Sequence, residues 1–130
     1  MLPPWAAEYV GIPFAEHGRD RCGCDCWGLV RLVLAERFGV EVSDFEAYRD
    51  SRDGAAIEAR IRAEQERWAA VSEPSPGDVV VLRIAGRPHH LGVVIAPSVM
   101  LHVERGIDSC IESYDGPLWR NRIDGFWRRG

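Results

Sequence analysis

Cys26 is the residue whose setting most suggests chemistry. It falls at the first turn of an apolar, helix-periodic run, directly behind Asp25. The unpaired N–H groups of a helix start place positive potential there, which favours a thiolate. His90 and His102 lie far downstream, in a region that reads as strands. An imidazole brought to the thiol can take its proton. The order cysteine, histidine, second polar residue therefore points to covalent catalysis by a cysteine hydrolase. Gly28 is expected to leave room for a substrate beside the nucleophile.

The two histidines differ in context. If Leu91, Val93 and Ile95 face one side of a strand, then His90, Gly92 and Val94 face the other, and His90 suits a cleft wall. His102 sits in Val99-Met100-Leu101-His102-Val103, and a histidine in so apolar a strand is commonly a satisfied core residue. Taken with His90 on a neighbouring strand, it becomes the candidate to orient the imidazole, the third role of a catalytic triad.

Cys22-Gly23-Cys24-Asp25-Cys26 also admits a metal or iron–sulfur reading. The C-x-C-x-C spacing is tight, and no second Cys/His pair with C-x2-C or H-x3-H spacing accompanies it. A four-ligand site requires Cys110 or a histidine to fold back. A Cys22–Cys24 disulfide requires export. The hydrolase reading needs neither metal nor cofactor.

The elements that must position these residues follow from local pattern. Pro3 to Val10 reads as a short helix with proline at its start, broken by Gly11-Ile12-Pro13-Phe14. His17 to Cys24 is a polar loop. Asp25 is a plausible N-cap. From Cys26, the residues Leu29, Val30, Val33, Leu34 and Phe38 keep helical spacing until Gly39 supplies a stop. Ser43 to Tyr48 is expected to hold a further helical turn. Asp53 begins a second amphipathic segment with Ile57, Ile61 and Trp68 on one side, and with Glu58/Arg62 and Arg60/Glu64 at i,i+4 on the wet side. After the turn at Ser72 to Gly77 the period changes. Asp78–Ile84, His90–Ile95, Val99–Val103, Ser109–Ser113 and Ile123–Arg128 read as short strands. Helices followed by strands predict one α+β domain over 1–130, with N-terminal helices packed on a mostly antiparallel sheet of five to six strands. Trp119 and the Phe126-Trp127 pair are expected in the core.

Bulk composition agrees with a single globular domain: 130 residues, 46% hydrophobic and 28% charged. A net charge of −4 argues against a nucleic-acid partner. No stretch approaches the roughly 18 apolar residues that span a bilayer, so no membrane insertion is expected. Met1-Leu2-Pro3-Pro4-Trp5 lacks the pattern of a secretory signal, so synthesis in the cytoplasm with reduced cysteines is expected.

The chain resembles the NlpC-type cell-wall cysteine peptidases, which are papain-like. Gly11-Ile12-Pro13-Phe14 looks like the family's G-x-P-Y opening, and Asp25-Cys26-Trp27-Gly28-Leu29-Val30 looks like its D-C-S-G-L-V nucleophile motif. Pro76-Gly77-Asp78-Val79-Val80 resembles its P-G-D-L-V strand entry, and His90-Leu91-Gly92-Val93-Val94 its H-V-G-I-Y strand. His102 follows twelve residues after His90, as the family's second histidine does. The resemblance implies a papain-like fold, with Cys26 as nucleophile, His90 as general base and His102 orienting His90. It implies amide bonds of peptidoglycan stem peptides as substrate. Phe14, Asp25, Trp27 and Gly28 are then the candidates for the cleft and oxyanion site. Phe14 departs from the family's tyrosine and Trp27 from its serine. The Cys24-Asp25-Cys26-Trp27-Gly28-Leu29-Val30-Arg31 version looks most like the subset encoded with phage tails and gene transfer agents. That subset implies a tail-tip or hub protein as partner, and action in the periplasm or cell wall from a virion-borne position.

Overall fold

The structure, a computed structural model, describes residues 1–44 and 50–130. Pro4–Tyr9 forms a 3₁₀ turn with proline in its first positions. A two-residue hairpin, β1 (Arg19–Asp20) with β2 (Gly23–Cys24), leads into helix α1 (Cys26–Phe38). Helix α2 (Gly54–Gln65) follows, then β3 (Ala69–Val71), β4 (Val79–Ile84), β5 (Arg87–Ala96), β6 (Val99–Glu104), β7 (Ile107–Ser113) and β8 (Ile123–Arg128). Strands β3 to β8 make a six-stranded sheet in the order β3-β8-β4-β5-β6-β7, with antiparallel pairing at each step. The α+β expectation holds, at the upper end of the expected strand number.

Helix α1 begins and ends where its caps dictate. The Asp25 carboxylate accepts the N–H of Gly28, and Gly39 adopts the left-handed conformation (φ 65°) that lets its N–H return to the Leu34 carbonyl. The apolar stripe of Leu29, Val30, Val33 and Leu34 packs on Val79, Val81, Leu91, Val93 and Leu101 of the sheet. Strand alternation sends Val80, Leu82, Val94 and Met100 to the opposite face, where Tyr114 and Trp119 cover them. Both faces of the central strands are thus buried, which is why β4 reads as a continuous apolar run. The core placement expected for Trp119 holds, and Phe126 and Trp127 pack on opposite faces of the sheet.

Several local expectations are corrected. β5 starts at Arg87, so His89 and His90 lie inside the strand rather than at its opening. The polar loop over His17–Cys24 contains the β1–β2 hairpin, and the short edge strand β3 had no strand-like period to reveal it. Trp68 lies beyond the end of α2, where its indole N–H reaches Glu64 at 3.3 Å. Glu58 reaches Arg87 and Arg62 reaches Asp124, pairing the helix with the sheet, and Glu64 is buried, accepting from Ser43, rather than on the wet side. The turn expected over Ser43–Tyr48 lies, from residue 45 onward, outside the described residues.

Two tethers hold the frame around the cleft. The N–H of Gly11 donates to the Ser109 carbonyl (2.9 Å) and that of Ser109 to the Ile12 carbonyl (2.8 Å), which ties the segment bearing Phe14 to β7. Asp78 is buried and receives both Nε (2.8 Å) and an Nη (2.8 Å) of Arg128 on β8, closing the turn that starts β4.

Candidate active site

Cys26 is the first residue of α1, so its thiol stands at the positive end of the helix. Asp25 behind it caps the helix through Gly28 N–H (2.9 Å), accepts the backbone N–H of His17 (3.2 Å) and pairs with Arg19 at 2.8 Å. These bonds fix the loop against the helix start. The side chain of Cys26 opens on a cleft of about 230 Å³ that is also lined by Phe14, Trp27, His90, Leu91 and Arg105. His90 and Cys26 therefore share one cavity, although they come from elements 64 residues apart in the chain.

The charge state of the sulfur departs from the expectation. Burial pushes the Cys26 thiol up to about 12, and the charge of Asp25 adds to this. Hydrogen bonding with the backbone of Leu91 and of Trp27, with the charge of Arg19, acts in the opposite direction without cancelling it. Desolvation and the charge of Asp25 thus favour the thiol over the thiolate.

His90 is 3% exposed, and its Nε2 lies 2.8 Å from Nδ1 of His102. Its ring stacks on Trp119, with centroids 5.4 Å apart and planes 20° from parallel. Burial, and then the neighbouring His102 and His89, hold His90 well below the ordinary histidine range, so its ring is neutral. His102 is buried as expected of a core histidine, but both of its nitrogens are engaged. Nδ1 meets His90, and Nε2 meets Glu112 Oε1 at 2.8 Å, with Cys110 Sγ at 3.6 Å from the same nitrogen.

This chain of contacts sets the tautomers. A carboxylate only accepts, so Nε2 of His102 carries the hydrogen that bonds Glu112. Nδ1 of His102 is then bare and accepts from Nε2–H of His90. Nδ1 of His90 is left bare, as a base requires. Neither Glu112 nor Trp119 was identified from sequence as part of the site. Glu112 follows Cys110 by two residues on β7, and only the pairing of His102 with Cys110 brings it under the histidine.

The other sequence candidates divide. Phe14, Asp25 and Trp27 line the cleft. The Trp27 indole N–H donates to the Ser43 carbonyl at 3.2 Å, which fixes the ring as a cleft wall. Gly28 is buried and does not serve substrate approach. A Cβ there meets the Gly18 carbonyl oxygen at 2.0 Å, so glycine is required for packing of the helix on the loop. Gly92 is likewise a packing residue, under Met100 and Val80, and not a cleft wall. The C-x-C-x-C residues diverge: Cys22 is exposed, Cys24 buried and Cys26 turned to the cleft. Cys110, one of the two kinds of fourth ligand that reading allowed, stands instead beside His102 and Glu112.

A cysteine on a helix start that shares a cleft with His90 on an antiparallel sheet, backed by His102, defines the papain-like α+β class. The chain belongs to the NlpC/P60 family, whose model matches residues 11–128. It is similar to the murein DD-endopeptidase MepS/murein LD-carboxypeptidase of Escherichia coli (strain K12), at 26% identity over 122 residues, which are 91% of this chain and 56% of that protein. The chain thus spans just over half the length of the curated relatives it matches. An NlpC/P60 family protein from Bacillus cereus ATCC 10987 superposes with a TM-score of 0.70 at 18% identity, over 99% of this chain and 41% of that one. The NlpC/p60 domain of the peptidoglycan hydrolase SagA superposes with a TM-score of 0.63 at 20% identity, over 95% of this chain and 91% of that one. These two likenesses bear on the fold.

Proposed function

We propose that this domain is a cysteine peptidase that hydrolyses stem-peptide amides of peptidoglycan. The observation that carries the reading is the cleft itself. It joins the sulfur of a capped helix start to a buried neutral imidazole, whose far nitrogen is already committed to a second histidine. The family membership and the similarity to a murein endopeptidase support the substrate class.

In this mechanism the nucleophile is made at the moment of attack. Nδ1 of His90 takes the Cys26 proton as the sulfur bonds to the amide carbonyl carbon. The oxyanion is received by the backbone N–H of Cys26 at the helix start. The imidazolium that forms on His90 is stabilised through His102 by the Glu112 carboxylate. His90 then protonates the leaving amine, and afterwards takes a proton from the water that releases the acyl group. Arg52 and Arg105 on the cleft wall are already paired, with Asp50 and Glu16, so a stem-peptide carboxylate has to displace those partners to reach them.

The Cys24-to-Arg31 motif supports a more specific placement. The domain is carried by a phage-like tail, docked on a tail-tip or hub protein, and acts in the periplasm or cell wall. Recovery of the chain with tail proteins in purified particles tests this placement, and its absence from such particles removes it.

Digestion of purified peptidoglycan, with mass analysis of the fragments, tests the activity. The wild type is expected to release peptides cut at one amide, and Cys26→Ala none. Wild-type turnover by Cys26→Ala rules out this nucleophile. A second reading, a structural tail-tip module of the same fold with little turnover, is favoured by Phe14, which lacks a hydroxyl, and by Trp27, which stands beside the nucleophile in the cleft. Release of no fragments by a folded wild-type protein selects it.

A further inference from the structure

We propose that His102, Cys110 and Glu112 form an inhibitory zinc site behind the catalytic relay. The three side chains present one ligand atom each, all within 4.8 Å of one another. They come from one face of two paired strands. His102 is directly opposite Cys110, and Glu112 follows two residues along β7. Cys110 is half-buried, and the Glu112 side chain keeps 34% of its exposure, so the group is open to solvent from the β7 side while His102 is enclosed.

The donor set and its spacing select the metal. Imidazole, thiolate and carboxylate together suit zinc, with a fourth position open to water. Zn–N and Zn–S bonds at tetrahedral angles separate nitrogen from sulfur by about 3.6 Å. Cys110 Sγ lies 3.6 Å from His102 Nε2. The same geometry separates nitrogen from a carboxylate oxygen by about 3.4 Å. Glu112 Oε1, now 2.8 Å away, opens by roughly half an ångström to admit the ion.

Occupancy of this site reverses the polarity of the relay. With a proton on Nε2, His102 presents a bare Nδ1 to His90. With zinc on Nε2, neutral His102 carries its hydrogen on Nδ1 and donates to Nε2 of His90. The proton count of the two rings is unchanged, and the hydrogen of His90 then resides on Nδ1. The nitrogen that must accept the Cys26 proton is thereby filled. Cys110 alone loses a proton, so one proton is released to solvent per zinc bound. The binding half of this inference is independent of the proposed function, whereas the inhibitory half rests on it.

The test uses the whole chain with Cys26→Ala, so that the nucleophile cannot bind the metal. Cobalt(II) titration is expected to give a thiolate-to-metal charge-transfer band that zinc displaces, and adding Cys110→Ser is expected to abolish the band. Nitrogen-15 spectra of the same protein are expected to show Nδ1 of His90 changing from bare to protonated when zinc is added. For hydrolysis, zinc is expected to inhibit the wild type reversibly. Relative to its own metal-free turnover, Cys110→Ser is expected to lose more than the roughly 10–100-fold in zinc sensitivity that a hydrogen-bonding partner of a ligand is worth. A band that survives Cys110→Ser, or inhibition equal in Cys110→Ser and wild type, overturns the site. If the wild type releases no fragments, the cobalt band and the His90 spectrum still decide the inference, and only the proposed activity is lost.

Discussion

His90 Nε2 lies 2.8 Å from His102 Nδ1, joining two strands whose own pairing lies farther along. That contact assigns a direction to the site. With Nε2 committed, Nδ1 is the nitrogen of His90 that the proposed mechanism leaves for the thiol, and its availability is set by what His102 meets on its other side.

Glu112 is accordingly expected to be a positioning residue. Glu112→Gln keeps the shape but removes the charge, and the amide can present a donor where His102 needs an acceptor. An outer-shell carboxylate of this kind is worth about 10–100-fold in activity. The fall should appear in kcat with KM nearly unchanged, and the nitrogen-15 pattern of His90 should become mixed. An unchanged kcat would show that the relay ends at His102.

The thiol of Cys26 is expected to resist alkylation at neutral pH. Because burial raises it to about 12, the thiolate fraction grows tenfold with each pH unit from 7 toward that value. Iodoacetamide labelling of Cys26, followed by peptide mass analysis, should therefore accelerate continuously with pH. A plateau below pH 8 would mean that the helix start outweighs desolvation after all. On the acid side, His90 is held well below 6.5, so kcat/KM is expected to stay flat down through that pH before the base protonates.

Phe14→Tyr is expected to raise turnover. Phe14 lines the cleft with Cys26, and its ring lies under the Arg105 guanidinium at 5.8 Å. A hydroxyl added there supplies a donor toward the oxyanion. One such donor is worth up to about 10²-fold in kcat. Comparison of kcat on a stem-peptide fragment decides the matter, and a decrease places the ring edge away from the reacting carbonyl.

Gly28→Ala is expected to weaken the fold rather than change specificity. The added carbon would stand 2.0 Å from the Gly18 oxygen and 3.0 Å from Cys24 Cβ, both held by the hairpin. Overpacking of this kind costs about 1–3 kcal/mol or more. Urea unfolding measures it. Wild-type stability combined with altered substrate preference would return Gly28 to the cleft.

Much of this molecule is legible in the chain alone. Asp25, the Leu29-to-Phe38 stripe and Gly39 delimit α1, and short β-branched or aromatic runs between turn residues mark the five longer strands of the sheet. These signals are local, because caps and side-chain periodicity act over one or two turns. Cys26, His90 and His102 stand out for the same reason, as reactive residue types in otherwise apolar elements. Tertiary structure alone decided the rest. Glu112 lies under His102 because of the β6–β7 register, and Trp119 stacks on His90 because a loop returns across the sheet. The upward push on the Cys26 thiol comes from burial beside Asp25, which only the packed site supplies. Register and desolvation are sums over residues distant in sequence, so no local pattern carries them.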